Sequence, residues 1–273
     1  NNWIGILMHS CNIIAPVSLV LDNKFDYTTP LPPPYPQQVS FAGLSLGRLS
    51  KIIIGNPIGS TNTLIANTFS HLQYGIYSTD SQYEIYGNIF ENIMGERHYT
   101  AIFSQGHKTG FYSKIIGAAN SGGTIHSNRF DFCNNSIELI EPNPPASLYN
   151  TIITSNRFNL CTNGVRVFNG SSQSWALNNL IEIAANQFDD VVNGVRCTET
   201  SLFGSPLYRI SRNKLTTYNR GIFVENALAP RISGNSLVGN NPNAPFGIHF
   251  ASCLFSAVTY NNVSGNFGPG NIE

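Results

Sequence analysis

Glu138, Arg166 and Arg196 fall at one position of a short phrase, small residue–apolar–x–apolar, that the chain writes repeatedly. Other copies put Tyr77, Phe103, Phe223 and His249 there. A carboxylate beside two guanidinium groups has two chemical uses. It grips the acid groups of an anionic sugar through paired N–H donors, or it supplies the base and charge neutraliser of a lyase. The simpler reading is structural, an exposed salt-bridged ladder that keeps a sheet from pairing with other chains. Asp131 and Asp189 also share a position, two copies apart. In a parallel stack that is about 9.5 Å, at the edge of the separation used by inverting glycosidases. Arg129 stands beside Asp131 and Asn159 fills the copy between, so a polar ladder accounts for them as well.

The connections carry a second set of candidates. Phe111, Tyr112, Tyr149, Trp175 and Phe203 lie in four consecutive long connections, "SQGHKTGFYSKIIGAANSGG", "EPNPPASLYN", "NGSSQSWALNN" and "TETSLFGSP". Aromatic faces among amides and hydroxyls suit sugar rings, which offer a C–H face and a rim of hydroxyls. Folding inward to pin their own loops is the competing role. The expected ligand contacts are Trp175, Tyr149, Tyr112 and Phe203, with Arg166 and Arg196. If the chain were an enzyme, Glu138, Arg166 and Arg196 would be its catalytic residues.

A repeat positions all of these. "ITSNRFNLCTNGVRV" (153–167) returns as "IAANQFDDVVNGVRC" (183–197). Its first half, apolar-x-x-Asn-x-apolar, recurs at Leu64/Asn67/Phe69, Ile85/Asn88/Phe90, Ile125/Asn128/Phe130, Ile153/Asn156/Phe158, Ile183/Asn186/Phe188, Ile210/Asn213/Leu215, Ile232/Asn235/Leu237 and Val258/Asn261/Val263. The second half begins eight residues after the Asn, at Gly75, Gly164, Gly194, Gly221 and, in a degenerate copy, Ser136. Such a unit is too short for a helix pair and cannot bury its own apolar face. Stacked copy on copy, it would pile phenylalanines into one inner column. Leu72, Ile93, Cys133, Cys161, Val191 and Tyr218 would form another. Each repeated Asn would sit at an inward bend and bridge to backbone groups of neighbouring turns.

These repeats resemble those of parallel β-helix proteins of the pectin-lyase-like superfamily, over residues 64 to 266. The resemblance implies an all-β fold: one single-stranded right-handed parallel β-helix of nine to eleven coils, forming one domain over 1–273. Residues 1–60 fit as irregular coils, with second-half strands at 5–8 and 43–46 and a Pro-rich loop at 28–38. Bacterial members are secreted or surface proteins, and the superfamily mixes lyases, hydrolases, epimerases, adhesins and structural proteins. Polygalacturonase-like members carry Asn-x-Asp, Asp-Asp, Gly-His-Gly and Arg-x-Lys in that order. Here Asn-x-Asp is absent, Gly106-His107-Lys108 is a partial match that precedes Asp189-Asp190, and the arginines merely restate the repeat. No acidic cluster suggests a pectate-lyase calcium site, and the epimerase Asp-Pro-His-Asp is missing.

Composition narrows the partners. Lys+Arg and Asp+Glu are both 15, so no net charge draws the chain to nucleic acid. No apolar run spans a bilayer. About one residue in eight is Asn, a residue that enters left-handed bends cheaply. Five cysteines without metal-ligand spacing imply neither a metal nor a cofactor. Cys133, Cys161 and Cys197 read as core filling, although Cys133 and Cys161 lie one copy apart, where a disulfide is geometrically conceivable. The expected role is a secreted or cell-surface module that binds a polysaccharide or cell-surface glycan without catalysis. The alternatives are a lyase or hydrolase acting on an acidic polysaccharide, and a stalk segment of a longer surface protein. No capping helix is legible at either end, so flanking domains or a partner would cover the ends.

Overall fold

A computed structural model of the chain describes residues 4–9, 19–20, 23–26, 41–48, 52–55, 66–95, 99–106, 112–117, 128–140, 149–169, 180–200, 202 and 206–272. Among these the fold is all-β, and every paired strand runs parallel to its neighbour, in a solenoid or barrel-like arrangement. No helix is long and apolar enough to cross a membrane. The strands form a 15-stranded and a 9-stranded sheet.

The larger sheet holds two ladders. One stacks the second-half strands from Ile4–His9 through Ala42–Gly47, Tyr74–Thr79, Thr100–Gln105 and Asn135–Ile140 to Asn163–Asn169. The other stacks the short phenylalanine strands from Lys24–Asp26 to Arg157–Asn159. Gln187–Glu199, 13 residues long, belongs to both, and so do Lys214–Glu225, Ser236–Ala251 and Asn262–Ile272 beyond it. The smaller sheet runs from Leu19–Val20 to Ala257–Thr259.

The expected phenylalanine column is present, and one ring longer at its start. Phe25, Phe69, Phe90, Phe130, Phe158 and Phe188 stack with centroids 4.5–4.9 Å apart and planes within 11°. Leu215 and Leu237 continue it, buried, with Val263 at the end. The column explains the glycine that opens most second halves. A Cβ on Gly164 would lie 2.4 Å from the Phe188 ring and 2.6 Å from the Gly194 carbonyl oxygen. Phe25 belongs to a copy of the frame that the sequence reading passed over, Val20/Asn23/Phe25.

The asparagines also form a column, in which each side chain is fully used. Asn156 donates from Nδ2 to the Ile116 carbonyl (2.9 Å) and to Asn186 Oδ1 (3.1 Å), and its backbone N–H also meets that oxygen (2.9 Å). The pattern recurs at Asn88, Asn186, Asn213 and Asn235. An inward bend would otherwise bury bare carbonyls.

Two expectations need correction. The residues stacked with Ile85 and Ile153 are Ile54 and Ile116, not Leu64 and Ile125, which lie outside the described residues. Ile116 and Ile54 are each followed by a glycine at positive φ, Gly117 (99°) and Gly55 (91°). A Cβ there would lie 1.7 Å from a carbonyl oxygen of the next rung, so only glycine fits. Tyr218 leaves the second inner column and is 40% exposed, whereas Thr217 is buried opposite Val191. A register shift between Phe188 and Val191 causes this, and a second between Val191 and Asn193 restores the pairing. The Pro-rich stretch 28–38 lies outside the described residues.

Candidate functional site

The second-half ladder aligns the expected outward residues in register: Tyr77, Phe103, Glu138, Arg166, Arg196, Phe223 and His249, on seven successive rungs. Parallel pairing without offset makes this unavoidable, because one strand position always meets the same position on the next rung. The sequence reading placed these residues on an exposed ladder. They are instead half-buried, and Glu138 and Phe223 are 7% exposed. The cause is a flanking column that packs against them: Tyr74, Thr100, Asn135, Asn163, Asn193, Arg220 and Phe246.

At the N-terminal side the ribbon is aromatic. Tyr77 and Phe103 stack at 5.2 Å with planes 9° apart, and Tyr74 and Phe41 close around them. Burial pushes the Tyr74 phenol above its ordinary range, helped by neighbouring Tyr77 and by the Glu138 carboxylate. Tyr74 therefore stays a hydrogen-bond donor at any physiological pH.

The middle is charged. Glu138 accepts from Thr100 Oγ1 at 3.2 Å and faces Arg166 Nη1 at 3.5 Å. Arg166 also donates to Asn135 Oδ1 at 3.2 Å and lies over the Phe168 ring, 4.8 Å from its centroid. Arg196 sits between Phe168 and Phe223, at 5.9 and 5.5 Å, with Nε donating to Thr198. Arg220 covers the other flank of Phe223 at 5.1 Å. Among the described residues neither Arg196 nor Arg220 has a carboxylate partner within ion-pair distance. At the C-terminal side His249 packs on Phe223 and Phe246. Nδ1 of His249 and Nε of Arg220 have no hydrogen-bond partner among the described residues.

A second asparagine ladder props this ribbon. Asn219, Asn193 and Asn163 each donate to the asparagine one rung earlier, ending on Asn135, at 2.9–3.0 Å. The sequence reading missed it. The spacing of Asn163, Asn193 and Asn219 was the available clue.

The loop aromatics fare differently. Phe111, Trp175 and Phe203 lie outside the described residues. Tyr112 and Tyr149 are not in protruding connections, since they begin the strands Tyr112–Ile116 and Tyr149–Thr154 and stand opposite one another in the smaller sheet. The stretch around Tyr112 was read as one long insertion because its strand letters, Lys-Ile-Ile-Gly, lack the Asn that marks other copies. That strand also puts Lys114 inside the fold. It is buried, donates to the Gly106 carbonyl at 2.9 Å and lies 5.9 Å from the Tyr83 ring centroid.

Asp131 and Asp189 take part in a polar ladder. Arg129 pairs with Asp131, Asn159 donates to Asp131 at 3.1 Å, and Arg157 meets Asp189 at 3.0 Å. The cysteines Cys133, Cys161, Cys197 and Cys253 are free thiols. Burial pushes the Cys133 and Cys197 thiols well up, which keeps them protonated. No group of three or more His, Cys, Asp or Glu among the described residues is arranged to hold a metal ion.

Compared with family profiles, with curated proteins and with solved structures, the chain finds no significant match.

Proposed function

We propose that the chain is a right-handed parallel β-helix of ten windings, of the kind its repeat resembles. It would serve as a secreted or cell-surface module that binds an acidic polysaccharide along the ribbon without cleaving it. The winding is supported by register: each strand pairs with its equivalent one copy earlier and one copy later, in all three ladders. The path through twelve strands of the larger sheet turns back at Gln187–Glu199 because that strand serves two ladders at once. Right-handedness follows from the rule for parallel crossovers.

The observation that carries the binding reading is Arg166, Arg196 and Arg220 on consecutive rungs, interleaved with Phe168 and Phe223, with Glu138 the one carboxylate paired to them among the described residues. Guanidinium groups held flat on aromatic rings keep their outer N–H edges for carboxylate or sulfate groups. The rings alongside offer faces to sugar C–H groups. Glu138 is hydrogen-bonded and ion-paired, which suits a positioning group better than a base.

The test is titration with polygalacturonate, heparin and a neutral glucan, read by calorimetry at two salt concentrations. The acidic polymers bind, and binding weakens with salt. Arg166→Ala with Arg196→Ala costs roughly tenfold or more in affinity. No unsaturated uronate ends or reducing sugar accumulate. Equal binding of the neutral glucan would sink the acidic-ligand reading, and turnover abolished by Arg166→Ala would establish the lyase instead.

A further inference from the structure

Cys133 and Cys161 are thiols of one inner column on consecutive rungs. That column runs through Leu72, Ile93, Cys133, Cys161 and Val191, all buried. The pairs on either side, Asp131 with Asn159 and Asn135 with Asn163, hold the same offset, so the two cysteines stand directly opposite one another. Their backbones are joined there, because the Thr162 N–H donates to the Cys133 carbonyl at 3.0 Å. In such a pair the Cα atoms lie about 4.8 Å apart, inside the range a disulfide spans. Cys161 Sγ is 3.4 Å from the Phe130 carbonyl oxygen, which belongs to the rung of Cys133, so this sulfur is turned towards its neighbour. Cys197 stands apart, between Val167 and Val224 in another column, and Cys253 is half-buried.

The two thiols are not equivalent. Burial pushes Cys133 well above its ordinary value, and the Asp131 carboxylate adds to this. At Cys161, hydrogen bonding with the Cys133 thiol outweighs burial and brings the thiol below its ordinary value. The thiolate is the nucleophilic form, so Cys161 is the reactive member. Each cysteine also follows directly on a corner residue in the left-handed region, Phe132 and Leu160, both with φ 52°. Neither residue type is enriched in that region. Their side chains are 45% and 46% exposed, which leaves solvent one residue away from each buried sulfur. Opening a strained corner, without parting the rungs, admits a small neutral oxidant. Glutathione disulfide is too bulky for that route.

We propose that Cys133 and Cys161 are a peroxide-responsive dithiol that closes to a disulfide between adjacent rungs and reopens on reduction. Cys161 sulfur attacks one oxygen of hydrogen peroxide and the O–O bond breaks. The departing hydroxide takes up the proton lost by Cys161 and leaves as water, so that Cys161 becomes a sulfenic acid. Cys133 sulfur then attacks Cys161 sulfur, the S–O bond breaks, and hydroxide leaves with the Cys133 proton as a second water. The two thiols lose two electrons in all, and the peroxide gains them. This inference rests on the register of the ladders and is independent of the glycan reading.

The experiment exposes the intact chain to hydrogen peroxide at neutral pH, alkylates the remaining thiols in denaturant and maps the peptides by mass spectrometry. The expected product joins the peptides of Cys133 and Cys161, two hydrogens lighter than their sum, and dithiothreitol separates them. Cys133→Val, which places a residue type already present in the column, leaves Cys161 as a sulfenic acid that dimedone traps. Cys161→Val leaves Cys133 unmodified under the same exposure. The peptide map of the parent chain decides the pair even where a variant fails to fold. If Cys133 and Cys161 are both alkylated in full after an exposure that oxidises Cys253, the proposal is overturned. A disulfide from either residue to any other cysteine overturns it as well.

Discussion

Asn186 shows what one residue does in this fold. Its side chain satisfies the Ile153 carbonyl, and its Oδ1 receives both the backbone N–H and the amide of Asn156. Nothing else is close enough to replace it, because the site is buried. Replacing Asn186 with Ala strands those groups without water. At roughly 1–3 kcal/mol for each orphaned buried group, the expected loss is about 3–5 kcal/mol, read by urea denaturation. Asn261→Ala is milder, since its rung is half-exposed and no asparagine donates to a next rung from it among the described residues. Equal effects at the two sites would show that the ladder is decoration. The same reasoning ranks the ribbon, where Arg166 is held by Glu138, Asn135 and Phe168 and so is more fixed than Arg196.

Single strands turn into a winding element at bends made by one residue in the left-handed region. The corner four residues after five of the repeated asparagines holds His71, Asn92, Phe132, Leu160 and Asp190, all with φ between 52° and 54°. His71, Asn92 and Asp190 are residue types enriched in this region, whereas Phe132 and Leu160 are not. Leu160 is held there by its N–H, which donates to the Asp189 carbonyl of the next rung at 3.0 Å, while its side chain is 46% exposed. Leu160→Asn keeps that bond and lowers the backbone penalty, and Leu160→Ile raises it. The expected shifts are about 1 kcal/mol in opposite directions, seen as a rise and a fall in Tm. A rise in both would mean that the leucine side chain, not the backbone, decides the corner.

Legibility follows the same division. The phenylalanine column was readable because one residue type keeps one offset from an asparagine. Val20/Asn23/Phe25 was not, because its neighbours lack the Gly-apolar-x-apolar that confirms other copies at a fixed interval. Ile125 was chosen because Ile-x-x-Asn is all that the pattern requires, whereas Ile116 holds the position opposite Ile85 and Ile153. Tyr218 was lost to a one-residue register shift, which periodicity cannot detect. The ladder from Tyr77 to His249 was read in the right order. Its half-burial was not, because the flanking residues that cover it come from the position just before each small residue, where Tyr, Thr, Asn, Arg and Phe share no type.

At the scale of the whole molecule, contacts join each rung only to its neighbours, so stability is distributed along the stack and the terminal rungs open first. The N-terminal end adds a pH term. Burial of the Asp26 carboxyl would raise its pKa, but hydrogen bonds with His71, Ser70 and Lys24 outweigh that and hold it below the ordinary value. His71 Nδ1 and Lys24 Nζ lie 3.0 and 3.3 Å from it, and Lys24–Asp26 stacks on Thr68–Ser70. A carboxyl whose folded pKa is depressed adds stability that is complete above its unfolded value, about 3.9, and is lost as pH falls through the lower folded value. Acid should therefore loosen the rung of Phe25 before the strand Arg231–Ser233, which contains no carboxylate and pairs with strands that contain none at the facing positions. Hydrogen exchange, corrected for intrinsic rates, should show protection at Lys24–Asp26 falling between about pH 5 and pH 3, on the scale set by that pKa range, with Arg231–Ser233 unchanged. Asp26→Asn should remove the difference by lowering protection at both pH values. Uniform loss along the stack would mean that the rungs unfold as one cooperative unit and that the first ion cluster does not govern the end.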